Sequence, residues 1–370
     1  MMKKNILVDA HIFDDKYQGT RTYLKGLYSE LIPIATNWHF FLVAKNIDNL
    51  KEEFGTHENL TFLPLKSSNK YYRLAIELPQ IIKRHKIEYA HFQYICPLIK
   101  SCKVIITTHD ILFEQKEFKH YFPLKYRIIN GLLFKWSAKR ADLLLTVSKF
   151  SQIKISEIYK INKQKIKITP NAVDKHFCKE NLVNSTCTAG TEKYLLYVSR
   201  VEPRKNHLNL LKAFVELELS RLGYKIVFIG RKDILSRDLT TYIDLLRPVD
   251  KEAILWIDSI SVDTLKAYYN NCELFVFPSF AEGFGIPPLE AMSMGSKILC
   301  SKATAMMDFN LPEALYFDPN DLEELKKKIL TQLASPKVPS RIYQEILNRY
   351  NWKKIAEDYL EYLEEENSII

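Results

Sequence analysis

The sequence predicts an α/β protein built from two Rossmann-like domains with parallel sheets. Short runs rich in β-branched and aromatic residues alternate with helical stretches along the whole chain. Several of these runs are continuously apolar, as expected of strands that helices cover on both faces. The 370 residues are enough for two such domains.

The first half contains seven predicted strands, and we assign it to a first domain at residues 1–174. In chain order the predicted strands are KNILVDA, HFFLVA, LTFLPL, IEYAHFQY, KVIITTHD, ADLLLTVS and IKITPNA.

The second half contains six predicted strands, in a second domain at residues 175–351. They are YLLYVS, YKIVFIG, AILWIDS, ELFVFPS, KILCS and ALYFDP. The boundary falls in the polar stretch 175–193, which shows no periodicity. A last helix, 352–370, opens at Trp352 and is long enough to pack back on the first domain. Two facing domains of this kind form a cleft at the carboxyl ends of their strands, where such folds bind ligands.

Composition narrows the function classes. The net charge of +9 favours an anionic partner, whether nucleic acid, acidic lipid or a phosphorylated small molecule. No apolar run approaches the ~20 residues that cross a bilayer, and the chain begins directly with a predicted strand, so we expect a cytoplasmic protein. The six cysteines form no C-x-x-C pair, the histidines form no H-x-H or H-x-x-x-H pair, and D-x-D is absent. We therefore expect neither a metal nor a cofactor.

The stretch FAEGFGIPPLEAMSMGS, residues 280–296, combines two glutamates with three of the chain's ten glycines. It follows the buried strand ELFVFPS and leads into a predicted helix, so it lies at the carboxyl edge of a sheet. Amides at a helix start form an anion site, and glycines let the backbone approach a ligand. Glu290 is expected within the first turn, where it can bind a vicinal diol. The alternative is an ordinary strand-to-helix turn.

A second cluster, SRVEPRKNHLNLLKAF at 199–214, follows the strand YLLYVS. Arg200, Arg204 and Lys205 lie at another strand-to-helix junction on the same predicted edge. Cations beside an amide-rich loop suit a diphosphate, and arginine can bind it through two hydrogen bonds. The alternative is a solvated basic turn.

These two motifs together resemble the large family 4 of retaining glycosyltransferases with the GT-B fold. EGFGIPPLEAMSMG is similar to that family's E-x7-E signature, and SRVEPRKN is similar to its diphosphate-binding loop. Weaker matches follow the family's order along nearly the whole chain: QGTRTYLKGL, THDILFEQ, ADLLLTVSKFSQ, TPNAVD and Trp352. The resemblance implies a GT-B fold of two facing Rossmann-like domains, with the C-terminal helix crossing back to the first.

The resemblance implies that the second domain binds a nucleotide-sugar donor, GDP- or UDP-linked, and that the first binds the acceptor. Glu290 is expected to hold the ribose, and Arg200 and Lys205 the diphosphate. Glu282 and the loop residues are expected to meet the sugar and the distal phosphate. The implied donor residues are Gly19, Arg200, Lys205, Glu282, Gly283, Phe284, Gly285, Ile286 and Glu290. Arg21 departs from the family, because a second glycine is usual at its position.

The implied catalytic residues are His109, Glu282, Arg200 and Lys205. The family often has a histidine against the donor sugar at the position of His109; a capping or core role is the alternative. Arg200, Lys205 and the loop amides can stabilise the leaving diphosphate without a metal. No carboxylate stands out as a nucleophile, so we expect same-face attack with the leaving phosphate as base. Asp110 either orients the acceptor hydroxyl or serves as a local turn acid.

The segment 116–140 carries seven lysines and arginines, one acid and six aromatic residues. It either faces an anionic membrane or is a solvated helix whose Ile128, Leu132 and Phe134 pack into the first domain; a nucleic-acid surface is disfavoured. The acceptor-side candidates are Asp110, Lys116, Lys119, Lys125 and Arg127.

We therefore expect a metal-independent retaining hexosyltransferase of cell-surface polysaccharide synthesis, of the O-antigen or capsule type. Mannose is favoured by resemblance, and a glycan or a lipid-diphosphate-linked glycan is the expected acceptor. A peripheral position on the inner face of the cytoplasmic membrane would suit such an acceptor. The alternatives are a sugar-nucleotide epimerase of the same fold and a non-catalytic scaffold that binds nucleotide or nucleic acid.

Overall fold

The computed structural model describes residues 3–14, 19–177, 192–336 and 340–368. The chain divides into two compact units, one formed by Met1–Asp174 with Tyr350–Ile370 and the other by Lys175–Arg349. Most of the polar stretch expected to link the domains lies outside the described residues.

The strands occur where the apolar runs predict them. They are β1 (Lys4–Asp9), β2 (Trp38–Ala44), β3 (Leu60–Pro64), β4 (Tyr89–Gln93), β5 (Lys103–Thr107), β6 (Leu143–Thr146), β7 (Ile166–Ile168), β8 (Lys193–Val198), β9 (Tyr224–Ile229), β10 (Ile254–Ile257), β11 (Leu274–Phe277), β12 (Ile298–Ser301) and β13 (Tyr316–Phe317).

Helices fill the intervals between the strands. They are α1 (Gly19–Ile34), α2 (Ile47–Phe54), α3 (Lys70–Tyr72), α4 (Leu78–Arg84), α5 (Leu124–Arg140), α6 (Lys149–Tyr159), α7 (His207–Glu216), α8 (Arg237–Asp244), α9 (Pro248–Glu252), α10 (Val262–Asn271), α11 (Ile286–Ser293), α12 (Leu322–Ala334), α13 (Ser340–Arg349) and α14 (Trp352–Ser368).

Each unit has one parallel sheet. The strand order is β3-β2-β1-β4-β5-β6-β7 in the first unit and β10-β9-β8-β11-β12-β13 in the second. The central strands are buried, as Leu7 in β1 and Val276 in β11 illustrate. The strand order reverses between β1 and β4 and again between β8 and β11, and such switch points are where doubly wound sheets bind ligands. The two-sheet fold class predicted from the sequence is confirmed.

The C-terminal helix α14 packs on α1, within the first unit. The indole of Trp352 lies directly over Gly26: a Cβ atom at that position would be 2.0 Å from Trp352 Cε2. Only glycine leaves room for the ring there. The prediction that the last helix returns to the first domain is therefore correct, and Trp352 is its main anchor on α1.

A buried polar cluster strengthens this attachment. The hydroxyl of Tyr28 in α1 is hydrogen-bonded to His91 Nδ1 at 2.6 Å. The hydroxyl of Tyr359 in α14 lies 3.4 Å from the same nitrogen. Burial lowers the pKa of His91 to about 3, so the imidazole is neutral at physiological pH. Helix α14 is thus held by hydrogen bonds as well as by apolar packing.

Candidate functional site

The two sequence motifs meet at the switch point of the second sheet. The loop that follows β8 contains Arg200, Arg204 and Lys205, and the loop that follows β11 contains Glu282. Strands β8 and β11 are neighbours in the sheet, so their carboxyl ends bring the two loops together. Lys205 and Glu282, 77 positions apart in sequence, thereby belong to one cluster.

Lys205, Arg204 and Glu282 form the inner part of that cluster. Lys205 Nζ donates to Glu282 Oε1 at 2.5 Å, and Arg204 Nη1 donates to Glu282 Oε2 at 3.2 Å. Arg204 also donates to the carbonyl of Ala281 at 3.0 Å. The side chains of Lys205 and Glu282 are only 12% and 9% exposed. This is a nearly buried group of two cations around one carboxylate.

Electrostatics fix the charge state of Glu282. Burial by itself would raise the pKa of this carboxyl, but Lys205 and Arg204 outweigh burial and hold the pKa at about 2. Burial and the neighbouring Arg204 lower the pKa of Lys205, against the opposing effect of Glu282. At neutral pH the carboxylate of Glu282 is ionised and is paired with the two cations.

Arg200 lies in an outer part of the site. Its guanidinium contacts Glu202 at 3.2 Å and Asp233 at 3.2 Å. Glu202 also contacts Arg204 Nε at 3.0 Å, so this carboxylate bridges the two arginines. Within the described residues, Lys205 contacts Glu282 directly, whereas the ion pairs of Arg200 are with Glu202 and Asp233.

Helix α11 begins beside this cluster. Gly285 precedes the helix with φ of 101°, a left-handed conformation that side chains rarely adopt, and a Cβ atom there would lie 2.6 Å from Met306 Cε. Pro287 and Pro288 have no N–H group, so the amides of Gly285 and Ile286 remain as the donors before the first intrahelical bond. Phe284 is buried and packs edge-on against Phe309. The geometry suits an anion near the loop backbone.

Glu290 lies just after the first turn of α11, not within it as the sequence predicts. It is the fifth residue of α11, and no acidic residue lies in the first turn of this helix. The prediction of a first-turn position was wrong because the helix begins at Ile286, after the left-handed Gly285, rather than further along the loop. Glu290 Oε2 accepts a hydrogen bond from the hydroxyl of Tyr269 in α10 at 2.8 Å.

Several contacts of this site were not foreseen from the sequence. Arg204 was counted among the loop cations without an assigned contact, and Glu202, Asp233 and Tyr269 were not considered. Glu202 has a sequence signal, since it lies two residues from each arginine. The other two come from separate elements, and only the strand order places them here.

In the first unit His109 follows β5, and its ring is buried. His109 Nε2 is 2.7 Å from Gln93 Oε1, and Tyr23 packs edge-on at 5.0 Å between ring centroids. Burial lowers the pKa of His109 to about 3, so it is a neutral hydrogen-bonding group at physiological pH. Asp110 Oδ1 accepts from the amide of Leu112 at 3.2 Å, consistent with a turn role.

Gly19 is the first residue of α1, and a Cβ atom there would have no neighbour within 4 Å. Arg21, the residue that departs from the family pattern, lies two residues further along the helix. Its guanidinium pairs with Glu53 at 2.8 Å and lies over the ring of Phe13 at 5.0 Å. Arg21 is thus held by the first unit's own side chains.

Helix α5 has both buried and exposed apolar residues. Phe134 is buried as predicted, but Ile128 is 55% exposed and Leu132 69% exposed. Leu124, one turn before Ile128, is also exposed. The alternative of a solvated helix packed through these residues is therefore right for Phe134 and wrong for Ile128 and Leu132, because the buried face of α5 is formed by Phe134 and smaller residues. Among the acceptor-side candidates, Lys116, Lys119 and Lys125 are exposed and Arg127 is half-buried.

Both units match known protein families. The model described as Glycosyltransferase Family 4 matches residues 21–177, and the model described as Glycosyl transferases group 1 matches residues 179–349. The two family matches, together with the two parallel-sheet domains, place the chain in the class of GT-B-type glycosyltransferases. Within that class, its second unit matches the group 1 glycosyltransferases, a match that covers less than half of the chain.

The relatives and structures are consistent with this assignment. The chain is 30% identical over 241 residues to O-antigen chain mannosyltransferase B of Escherichia coli, a match covering 62% of this chain and 61% of that protein. It is 26% identical over 265 residues to O-antigen chain mannosyltransferase RfbU of Salmonella typhimurium, covering 70% of this chain and 69% of that protein. Its fold is similar to that of Anabaena HepE crystallised with UDP-glucose, with a TM-score of 0.70 at 16% identity over 99% of this chain and 100% of that one.

Proposed function

We propose that the protein transfers a hexose, with mannose favoured, from a nucleotide-diphosphate sugar to a glycan or lipid-linked acceptor in cell-surface polysaccharide synthesis. The observation that carries the proposal is the Lys205–Glu282–Arg204 cluster beside the start of α11, at the switch point of the second sheet. The O-antigen mannosyltransferases among the relatives support the hexose and the pathway class.

In this proposal the donor lies across the two loops of the second unit. Lys205, with Arg200 nearby, faces the diphosphate, and Glu290 faces the ribose. Glu282 and the loop of Gly283, Phe284, Gly285 and Ile286 face the sugar and the distal phosphate. Gly19 of the first unit remains a further donor residue that the family resemblance implies.

The chemistry is a substitution at the anomeric carbon. The bond from that carbon to the diphosphate oxygen breaks, and a bond to the acceptor hydroxyl oxygen forms on the same face. The acceptor proton passes to the leaving phosphate, so the configuration is retained. Arg200, Arg204 and Lys205 stabilise the charge that develops on the leaving group, a role that a divalent cation fills in other enzymes. His109 contacts the sugar as a neutral imidazole.

The exposed apolar face of α5 supports a peripheral position on an anionic membrane, at the cytoplasmic face. Leu124, Ile128 and Leu132 follow one another at four-residue spacing and are all exposed, and Lys125 lies among them. A basic helix with exposed apolar side chains binds the lipid interface through burial and charge together. Among the described residues no helix is long and apolar enough to cross a bilayer.

A thermal-shift panel of GDP, UDP, ADP and their sugars tests the donor assignment. A ligand at ~100 times its Kd adds about 2.7 kcal/mol of apparent stability. Incubation of the stabilising donor with a saccharide acceptor, followed by NMR of the product anomer with and without EDTA, then tests retention and metal independence. The proposal is contradicted if no nucleotide or nucleotide sugar in the panel stabilises the protein. Turnover of UDP-N-acetylglucosamine without an acceptor would favour an epimerase instead.

A further inference from the structure

A cavity of about 490 Å³ lies within the first unit, away from the residues considered so far. It opens at the carboxyl ends of β1, β2 and β3. The residues that define its chemistry are His11, Asp14, Lys45, Asn46, Ser68 and Arg73. Its volume falls within the ~300–1,000 Å³ typical of small-molecule sites.

We propose that this cavity binds one neutral sugar residue of the acceptor glycan, at a distance from the point of transfer. This inference rests on the proposed function, because it takes the first unit to be the acceptor-binding domain. The cavity is lined by two carboxylates, an amide, two hydroxyls, an imidazole and two cationic side chains, which together offer donors and acceptors for the hydroxyl groups of a sugar.

The charges around the cavity favour a neutral ligand over a phosphate. Arg73 Nε lies 3.5 Å from Asp9 Oδ2, and that carboxylate is also hydrogen-bonded to His11 at 2.9 Å. The Asp9 carboxylate therefore largely balances the positive charge of the Arg73 guanidinium. Asp14 and Asp48 add negative charge at the rim, against Lys45. A phosphate would need a surplus of positive charge that this cavity does not provide.

The site is also built before any ligand arrives. Asp14 accepts the backbone amides of Lys45 at 2.8 Å and Asn46 at 2.7 Å, which fixes the loop after β2 against the loop after β1. Lys45 Nζ donates to Ser68 Oγ at 3.1 Å, and this hydrogen bond connects the loop after β2 to the loop after β3. Arg73 is 8% exposed and lies against Asp9, so its position is also fixed by side chains of the first unit.

The strand order separates this cavity from His109. Strand β5, which precedes His109, is two strands from β1 and four from β3. At ~4.8 Å per strand this separation is ~10–19 Å. The cavity and His109 must therefore contact different sugar residues, so the cavity would recognise the existing glycan rather than the hydroxyl that is extended.

Saturation-transfer NMR on the full chain tests the proposal. The probes are neutral trisaccharides of mannose, glucose, galactose and N-acetylglucosamine, with inorganic phosphate as the ionic comparison. Ser68→Phe blocks the cavity from an exposed position, and Lys45→Ala removes a rim donor. Ser101→Phe is the matched control, since Ser101 is exposed and precedes β5 at the opposite edge of the sheet. GDP and UDP binding is measured for every variant.

We expect at least one trisaccharide to bind the wild type and Ser101→Phe equally. Ser68→Phe should weaken that binding at least about tenfold, a loss of ~1.4 kcal/mol, and Lys45→Ala should weaken it to a smaller extent. Nucleotide binding should be unchanged throughout. The proposal is overturned if no trisaccharide binds, if Ser68→Phe and Lys45→Ala bind as the wild type does, or if phosphate binds in place of sugar. If sugar binding responds to Ser68→Phe but no nucleotide binds, the cavity assignment stands and the proposed transferase function fails.

Discussion

Lys205 and Glu282, which lie 77 residues apart, form a hydrogen-bonded ion pair of 2.5 Å at the switch point of the second sheet. Arg204 completes the cluster by donating to the other carboxylate oxygen of Glu282. The Glu282 carboxylate is hydrogen-bonded to the two cations that we propose to stabilise the diphosphate. Donor binding in this account therefore redistributes existing hydrogen bonds instead of filling an empty positive pocket.

The first prediction separates donor binding from transfer. Glu282→Gln keeps the size of the side chain but removes its charge, which frees Lys205 and Arg204 for the phosphates. We expect nucleoside diphosphate affinity to be equal or higher, whereas the transfer rate falls by ~10²–10³, as when one transition-state contact is lost. Calorimetry gives the affinity and steady-state kinetics the rate. Glu252→Gln, an exposed acid of the same unit, should leave both unchanged. Normal turnover by Glu282→Gln would contradict the assigned role.

The second prediction concerns stability and pH. The pKa of Glu282 is lowered from 4.5 to about 2, so its ionised form stabilises the fold above pH 4.5. That contribution, of about 3 kcal/mol, is lost as the pH falls from 4.5 towards 2. The free energy of unfolding of the wild type should therefore fall more steeply over this range than that of Glu282→Gln. Urea titrations at a series of pH values measure both; parallel curves would show that the ion pair does not stabilise the ionised carboxylate.

The sequence predicts much of the second-unit site because two local signals coincide. Apolar runs define β8 and β11, and the loops after them carry the charged residues, so the sheet edge alone brings Lys205 near Glu282. The start of α11 was less predictable, since the left-handed Gly285 determines which residue begins the helix. Contacts from other elements, such as Tyr269 on Glu290, depend on strand order and on side-chain directions that no local pattern contains.

The first unit was harder to read from the sequence. Helix α5 has apolar residues on two faces, so periodicity alone does not tell which face is buried, and the alternative that buries Ile128 and Leu132 is wrong. The cavity at β1–β3 was not foreseen, because its residues come from three loops without a shared motif. Trp352 was recognised as the start of the last helix, but its contact with Gly26 required the structure.

The third prediction tests the attachment of α14. Gly26→Ala places a methyl group 2.0 Å from a Trp352 ring atom, so we expect a loss of ~1–3 kcal/mol from overpacking. Gly19→Ala in the same helix has no neighbour within 4 Å and should be neutral or slightly stabilising. Thermal and urea unfolding of the two variants provide the comparison. Equal stability of both would mean that the indole does not pack on Gly26 as described.

The fourth prediction tests the membrane surface. Replacing Ile128 and Leu132 by Glu removes exposed apolar area and adds negative charge on α5. We expect co-sedimentation with anionic liposomes at low salt to fall at least about tenfold, given ~1 kcal/mol for each charge near the surface. Leu222 and Leu245 of the second unit are 64% and 79% exposed. The control is a variant in which both of these leucines are replaced by Glu. A wild type that does not bind liposomes, or equal losses in both pairs, would refute a membrane role for α5.

The most direct test of the central claim is the affinity of GDP and UDP for three forms of the chain, measured by titration calorimetry. The forms are the wild type, Lys205→Ala and Lys251→Ala, the last being an exposed lysine on α9 of the same unit. The account predicts that one nucleotide binds the wild type and Lys251→Ala equally, and binds Lys205→Ala at least about tenfold more weakly through loss of a charge-assisted contact. Equal affinity for Lys205→Ala, or no binding to the wild type, would contradict the claim that this cluster is the donor site.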